Sequence, residues 1–571
     1  MDDRRWLVVL LVGVAGVNLW FGHAFPTPPH SSHDAFLTIP QFQRLFLGFQ
    51  PQDSGFGMFH PTWFVEGEGN PLDGLARFFS NNRARHWTQL PHPMGAAAAV
   101  AAVVPSWGAV QLVFTGYLLL LLGGLYAIGC HVHSSRAGLL AAVVAAGSPG
   151  LFGFSRYREC HLPVAAMGVL VVWLLLASDG LRRRGVCLAL SVATWSLMRS
   201  GEGAADLVGA GLVVVGPALI TAAQAVRRDG RGALVGLALV LVPLALLTEW
   251  DQVHGAVLQV LTAFRDPTVQ LDLGASQGAL AGAGSFRWAY LILVGTDYLA
   301  PLLAGCFAVS LIFLRGTEPA HKWLWAAWFF VPFLAFTWMQ RKASWYAVGL
   351  VPPLALVVGV AAASRPWLAR VAAGVALFQL VVFSSTSEAS WPEGLRWIRQ
   401  PVPLADWRLR RVDLLRPGED AGTLAVARDT RALLKWLDRH WEPGAIRYVG
   451  YLPMGYRHDY AFRYLAGLRR PDLQFLNLSD PRLREAGYAG VSADKIDLLL
   501  RLDGGFQAWP PGPKELAWLG KNVGCQAGDL LDPFLARVLA GNWVQRGDPG
   551  VPFYERVRQG EPLAPGVICG G

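Results

Sequence analysis

The chain has 571 residues, of which 53% are hydrophobic and only 16% charged, with a formal net charge of +9 and a mean hydropathy of +0.35. Ordinary soluble domains carry about 25% charged residues, so a water-soluble globule of this size is excluded, and a chain this apolar does not stay solvated and disordered. The basic residues are dispersed among apolar spans, not gathered on one polar segment, which argues against a nucleic-acid partner and for a charge balance set by membrane topology.

In chain order, the charged start Met1 to Arg5 precedes an apolar run from Trp6 to about Phe21. The run is long for a signal peptide and lacks a small-residue cleavage site, so it reads as a retained helix with its basic start in the cytoplasm. Residues 23–93 are polar, aromatic and rich in Pro and Gly, which predicts a long, folded first external loop. Apolar runs follow at about 108–130, 137–154, 163–179, 186–199, 205–226, 233–249, 290–314, 323–338, 346–363 and 367–384. With the first run, this predicts a polytopic α-helical membrane domain over 1–385 with about eleven transmembrane helices.

The bias of Arg and Lys toward the cytoplasm orients these spans. The predicted inner loops contain Arg136, Arg182 to Arg184, Arg227, Arg228 and Arg231, Arg315 and Lys322, and Arg365 and Arg370. An odd number of spans that starts inside places residues 386–571 outside, in the periplasm of a bacterial inner-membrane protein. That segment loses the apolar runs. Its pattern predicts helices at 433–440 and 461–468 and strands at 445–451, 473–478 and 495–502, a small soluble α/β domain. Of the six cysteines, Cys130, Cys187 and Cys306 lie in or beside apolar runs, where Cys behaves as a small hydrophobe. Cys525 and Cys569 can pair only if the outer compartment is oxidising and their geometry permits it.

Three sets of cations break the topology rule. Arg156 and Arg158 fall in a short external turn, Arg199 ends an outward helix with Glu202 close by, and Arg341 and Lys342 occupy another external turn. Taken singly, each reads as snorkelling or local pairing, with Glu159 as an ion-pair partner of Arg156 or Arg158. Taken together, cations at one face of a bundle form a pocket for an anion, and a lipid phosphate is the anion native to that surface. Asp34 lies in the first external loop after His33. It reads either as the N-cap of a helix over Ala35 to Leu47 or as a functional carboxylate near the membrane surface.

The order of these features resembles the GT-C superfamily of membrane glycosyltransferases, in particular bacterial relatives of dolichyl-phosphate-mannose protein mannosyltransferases and aminoarabinose transferases. The residues that carry the resemblance are His33-Asp34, Pro91-His92-Pro93-Met94, Ser155-Arg156-Tyr157, Met198-Arg199-Ser200-Gly201-Glu202, and Arg341-Lys342-Ala343-Ser344-Trp345-Tyr346 leading to Val351-Pro352-Pro353. The resemblance implies a GT-C-like bundle, a polyprenyl-phosphate-linked sugar donor, and a lipid, glycan or protein acceptor that arrives from the external side. By position it implies Asp34 as the base, with Glu159 as second acid. It implies donor or acceptor binding by His33, Arg156, Arg158, His161, Arg199, Glu202, Arg341, Lys342 and Tyr346. The chain departs from the family in having His33 where an acidic pair is usual. The second acid is open between Glu159, its replacement by His161, and its absence. A divalent metal held by His33, Asp34, Glu159 and His161 is not established by their spacing. A reading from another class is a lipid-linked-sugar transporter or a catalytically silent scaffold, which keeps the cations and does not need Asp34; no internal repeat of the kind such transporters show is visible.

Overall fold

The computed structural model of the chain describes residues 3–24, 39, 43, 47, 50–52, 63–65, 93–158, 161–199, 204–247, 290–291, 294–314, 319–338, 348–385, 431–432, 434–443, 447–452, 466–477, 496–501, 543–546 and 553–556. The chain divides into two compact units, one of Met1–Pro26, Gln89–Ala96 and Val110–Pro417, the other of Thr27–Thr88, Ala97–Ala109 and Gly418–Gly571.

Helices dominate the first unit. They begin with α1 (Asp3–Ala24), α2 (Pro93–Val103), whose residues from Ala97 on belong to the second unit, α3 (Trp107–Val132), α4 (Ser135–Ala146), α5 (Pro149–Tyr157) and α6 (His161–Ala177). They continue with α7 (Arg184–Arg199), α8 (Ala204–Arg228), α9 (Gly230–Leu247), α10 (Ala300–Ile312), α11 (Pro319–Trp338), α12 (Val351–Ala363) and α13 (Pro366–Ser385). Each of the eleven apolar runs read from the sequence contains one or more of these helices. Among the described residues, two helices, Asp3–Phe21 and Gly108–Val132, are long and apolar enough to cross a membrane, or three spans if the bent pair α4 and α5 counts as one. The outward faces of α1 and α9 are apolar, with Trp6, Val8, Val9 and Val12 on the former and Leu234, Val235, Leu241 and Leu246 on the latter all exposed. Apolar patches of this extent face lipid or another chain, not water.

The core of this unit gathers on α12, whose residues Val351 to Ala362 are all buried. It lies close against α4 because both helices carry small residues at the crossing: a Cβ added to Gly359 would stand 2.8 Å from Ala141 Cβ. Close backbone approach through Gly and Ala is how helices gain dispersion energy where no hydrophobic difference drives them together.

Two expectations are corrected here. The run 137–154 is not one helix: α4 and α5 meet at 59°. Pro149 enters at the first turn of α5; its ring and missing N–H prevent a straight continuation from α4. The run 290–314 is likewise not uniform, since a π-helical turn at Val294–Tyr298 precedes α10. The α2 helix was not anticipated, although its Ala-rich sequence has high intrinsic helix propensity.

In the second unit, β1 (Gln50–Gln52) pairs antiparallel with β2 (Trp63–Val65). A five-stranded sheet has the order β4 (Leu473–Asn477), β3 (Arg447–Leu452), β5 (Ile496–Arg501), β7 (Phe553–Arg556), β6 (Trp543–Arg546). β3 is parallel to both β4 and β5, and β7 is antiparallel to β5 and β6. The three strands expected at 445–451, 473–478 and 495–502 are thus present within two residues at each end. β6 and β7, four residues each, escaped the sequence reading. Arg470 and Asp472 sit buried beside the sheet, with Arg470 Nη2 2.6 Å from Asp472 Oδ2 and Arg470 Nη1 3.7 Å from Asp438 Oδ1. Gln43 is also buried in this unit and donates to the carbonyls of Ala101 (3.1 Å) and Leu468 (2.8 Å).

Candidate anion site at the end of the fifth helix

The α4–α5 break aims a short helix whose last residues are Ser155, Arg156 and Tyr157. Backbone groups left over by the break find side-chain partners. Gln379 on α13 donates from Nε2 to the carbonyls of Gly147 and Leu299, each at 3.0 Å. Ser148 Oγ donates to the Tyr298 carbonyl at 2.6 Å. One glutamine and one serine therefore tie the start of α5 to the π-helical turn. Phe154 stacks on Tyr298 at 6.0 Å between centroids and meets His161 edge-on at 5.8 Å.

α5 ends on Arg158 in the left-handed conformation, φ 61° and ψ 38°. A side chain there costs roughly 1–2 kcal/mol relative to the right-handed region, and such strain persists only where the surroundings hold it. Arg156 and Arg158 are 2% and 1% exposed. The expectation that both fall in a short turn is corrected in one respect: Arg156 lies in the last turn of a helix and Arg158 caps it, and both side chains are buried. A network of amides and hydroxyls makes this burial tolerable.

That network spans three helices. Asn18 on α1 donates from Nδ2 to Thr115 Oγ1 at 2.9 Å, and Thr115 Oγ1 donates to the Gln111 carbonyl on α3 at 2.7 Å. Gln111 donates from Nε2 to the Ser155 carbonyl at 3.0 Å, while its Oε1 accepts from Arg158 Nε at 2.9 Å. Asn18 Oδ1 lies 2.9 Å from Ser155 Oγ and accepts a longer bond, 3.4 Å, from Arg156 Nε. The Arg156 guanidinium stands over the rings of Phe21, 4.1 Å from the centroid, and Phe152, 4.8 Å. Desolvated cation–π contacts of this kind contribute about 2 kcal/mol. Both arginines make further contacts besides these.

Two guanidiniums two residues apart, each oriented through Nε, form a chemical arrangement suited to an anion. Arg stays charged at any working pH, and its planar edge grips phosphate or carboxylate oxygens in pairs. Taking these charges out of water costs several kcal/mol per ion, so the fold invests stability in holding them there.

Of the residues expected at the site from sequence, Arg156 and Arg158 close α5 in one network with Asn18 and Gln111, and His161 opens α6 with its ring against Phe154. Arg199 ends α7, and its side chain is outside the described set. His33, Asp34, Glu159, Glu202, Arg341, Lys342 and Tyr346 lie outside the described residues, as do Cys160, Cys525 and Cys569. Three of the four proposed metal donors are among them. Among the described residues no group of three His, Cys, Asp or Glu is placed to hold a metal.

Asn18, Gln111 and Thr115 had no role in the sequence reading. The signal that identifies them is an Asn or Gln inside an otherwise apolar run, a group that is costly at membrane depth unless it has partners.

No family model matches the chain, and no curated protein matches it. Among solved structures it is similar to the aminoarabinose transferase ArnT from Cupriavidus metallidurans in the apo state, with 16% identity over 97% of this chain and 99% of that one and a TM-score of 0.54. It is also similar to ArnT from the same organism bound to undecaprenyl phosphate, at 16% identity with the same coverage and a TM-score of 0.49. The archaeal oligosaccharyltransferase AglB from Archaeoglobus fulgidus, in complex with an inhibitory peptide and a dolichol-phosphate, matches at 10% identity over 98% of this chain and 75% of that one, with a TM-score of 0.41. The apo ArnT match extends over nearly the whole of both chains, so this chain shares the fold of that structure.

Proposed function

We propose that the protein is an integral-membrane glycosyltransferase that moves a sugar from a polyprenyl-phosphate-linked donor to a lipid, glycan or protein acceptor on the external, periplasmic side of a bacterial inner membrane. The observation that carries the reading is the pair Arg156 and Arg158, only 2% and 1% exposed at one helix end and oriented by amides in a chain that shares the fold of apo ArnT. Buried, oriented guanidiniums suit a leaving group that departs as a phosphate anion.

In the proposed reaction the acceptor oxygen bonds to the anomeric carbon of the sugar and the bond from that carbon to the phosphate oxygen breaks. The acceptor proton passes to the Asp34 carboxylate, and both electrons of the broken bond leave with the polyprenyl phosphate. A base so placed typically contributes about 10²–10⁴ in rate. Arg156 and Arg158 hold the phosphate as its charge grows, with Arg341 and Lys342 assigned to the same task by their order in the sequence. A phosphate leaves as an anion without help from a separate acid. Glu159 and His161 are the two candidates for the second polar group of the site.

The test uses the purified full chain in lipid nanodiscs with a radiolabelled polyprenyl-phosphate sugar. Formation of polyprenyl phosphate together with a labelled acceptor is expected. Its fall by about 10² or more in Arg156→Gln/Arg158→Gln, with an unchanged thermal midpoint, supports the assignment. Undiminished turnover in that variant removes the arginine pair from the mechanism.

A further inference from the structure

We infer that Asn18 and Gln111 are positioning residues that act through Arg156 and Arg158, a neutral amide clamp that fixes both guanidinium planes without cancelling their charge. The inference rests on the proposed donor-phosphate reading of the arginines and adds the residues that orient them. Three observations carry it. First, each arginine is gripped at Nε, the one guanidinium nitrogen whose bond direction sets the plane of the group: Arg158 by Gln111 Oε1 at 2.9 Å and Arg156 by Asn18 Oδ1 at 3.4 Å. An acceptor at Nε fixes the plane of the guanidinium and so the direction in which its outer nitrogens can bond.

Second, the two amides are held in turn. Asn18 is 2% exposed, Gln111 0% and Thr115 1%. Gln111 uses its other end on the Ser155 carbonyl and Asn18 its other end on Thr115 Oγ1. The Thr115 hydroxyl bonds back to the Gln111 carbonyl, so one connected set reaches from α1 through α3 to α5. Neither amide can rotate without losing a second hydrogen bond, and an unmet buried polar group costs about 1–3 kcal/mol.

Third, the residue types are informative. A carboxylate at either position would hold an arginine more firmly than an amide does. It would also compete with an incoming anion for the same guanidinium. An amide supplies the orientation alone, which is the arrangement a preorganised anion site requires.

The experiment separates orientation and charge from simple support of the fold. Gln111→Glu and Asn18→Asp keep the length and the acceptor oxygen and add a charge. Gln111→Met keeps the bulk and removes both polar ends. Each full-length variant in detergent is measured for thermal midpoint and for its dissociation constant for a polyprenyl phosphate, and the donor KM and kcat are determined separately. The clamp predicts that Gln111→Glu and Asn18→Asp keep the native midpoint within a few degrees yet bind the lipid phosphate about tenfold or more weakly, a difference of about 1.4 kcal/mol. Most of the kinetic change is expected in KM. Gln111→Met also weakens binding.

If both charged variants bind as tightly as the native protein, or if binding falls only in step with the thermal midpoint, the amides merely support the fold and the inference is overturned. If the native protein itself shows no affinity for a polyprenyl phosphate, the functional reading fails first, and this arm distinguishes the two failures.

Discussion

Arg158 and Gln111 are joined by a 2.9 Å hydrogen bond across 47 positions of sequence. One residue closes a helix in the left-handed conformation, and the other sits near the start of α3. The bond explains how a non-glycine residue is kept at φ 61°: the guanidinium is anchored after the turn, and Gln111 is itself anchored to the Ser155 carbonyl before it. The turn is closed from both sides by a single side chain.

Replacing either arginine by lysine tests whether planarity matters beyond charge. Lysine keeps the positive charge but has no Nε donor and no fork. Arg158→Lys leaves Gln111 Oε1 without its partner, and Arg156→Lys loses much of the flat contact with Phe21 and Phe152. Donor turnover is expected to fall about tenfold or more in each, by the loss of one charge-assisted bond of about 1.5–3 kcal/mol. Steady-state kinetics at several salt concentrations provides the check, and native turnover in both variants would falsify a role for the planar fork.

Gly150 tests how rigidly α5 is held. A Cβ at this position would run into the Tyr298 ring at Cδ1, and Tyr298 is fully buried. Gly150→Ala is therefore expected to destabilise the first unit by about 1–3 kcal/mol, the usual cost of overpacking. Adding Tyr298→Ala opens space for the methyl group, so the double variant should lose less than the sum of the two single losses. Thermal unfolding in detergent reads this directly, and strict additivity would show that the two residues do not meet.

In the proposed reaction Asp34 is the base. Asp34→Asn preserves its size and hydrogen bonding but removes the proton acceptor. Transfer from the polyprenyl-phosphate sugar is expected to fall by about 10²–10⁴, with expression level and lipid-phosphate affinity unchanged. Wild-type turnover by this variant would leave Asp34 as a helix cap and move the base elsewhere.

The second unit contains a buried ion pair whose loss should be severe. Arg470 bonds Asp472 from Nε at 2.8 Å and from Nη2 at 2.6 Å, and both side chains are 3% exposed. Arg470→Leu leaves Asp472 buried beside a lost partner, a change that costs about 3–5 kcal/mol. Limited proteolysis of the full chain should then cleave within residues 418–571 at lower temperature.

Donation of hydrogen bonds to the Asp472 carboxylate raises the Arg470 pKa above its ordinary value, with burial opposing it and the charges of Asp472 and Asp438 adding to the rise. A group whose folded pKa is raised stabilises the fold below its unfolded pKa and loses that contribution only as pH climbs past the folded value. For Arg470 the whole window lies above the ordinary arginine range. Between pH 5 and 9, roughly where Arg is always protonated, this residue should add no pH dependence to stability.

What the sequence determined by itself is what repeats over many residues. Eleven apolar runs mark helices because length and hydropathy accumulate over a dozen or more positions. Val449, Phe475 and Leu498 fall in strands because short apolar stretches there are flanked by turn residues. The sequence also singled out Arg156 and Arg158, since a cation beside an apolar run contradicts the topology rule. It placed them in a short turn, because neither the helix that carries Arg156 nor the partners of the two side chains are visible in the local sequence.

Only the tertiary structure decided that they are buried. Their partners Asn18 and Gln111 lie 138 and 47 positions away, and a single amide in an apolar run leaves no periodic trace. The 59° break that aims α5 is of the same kind. Pro149 announces that the helix cannot continue straight, but its direction is set by Gln379, Ser148 and the Tyr298 ring, contacts between segments that meet only once the chain has folded.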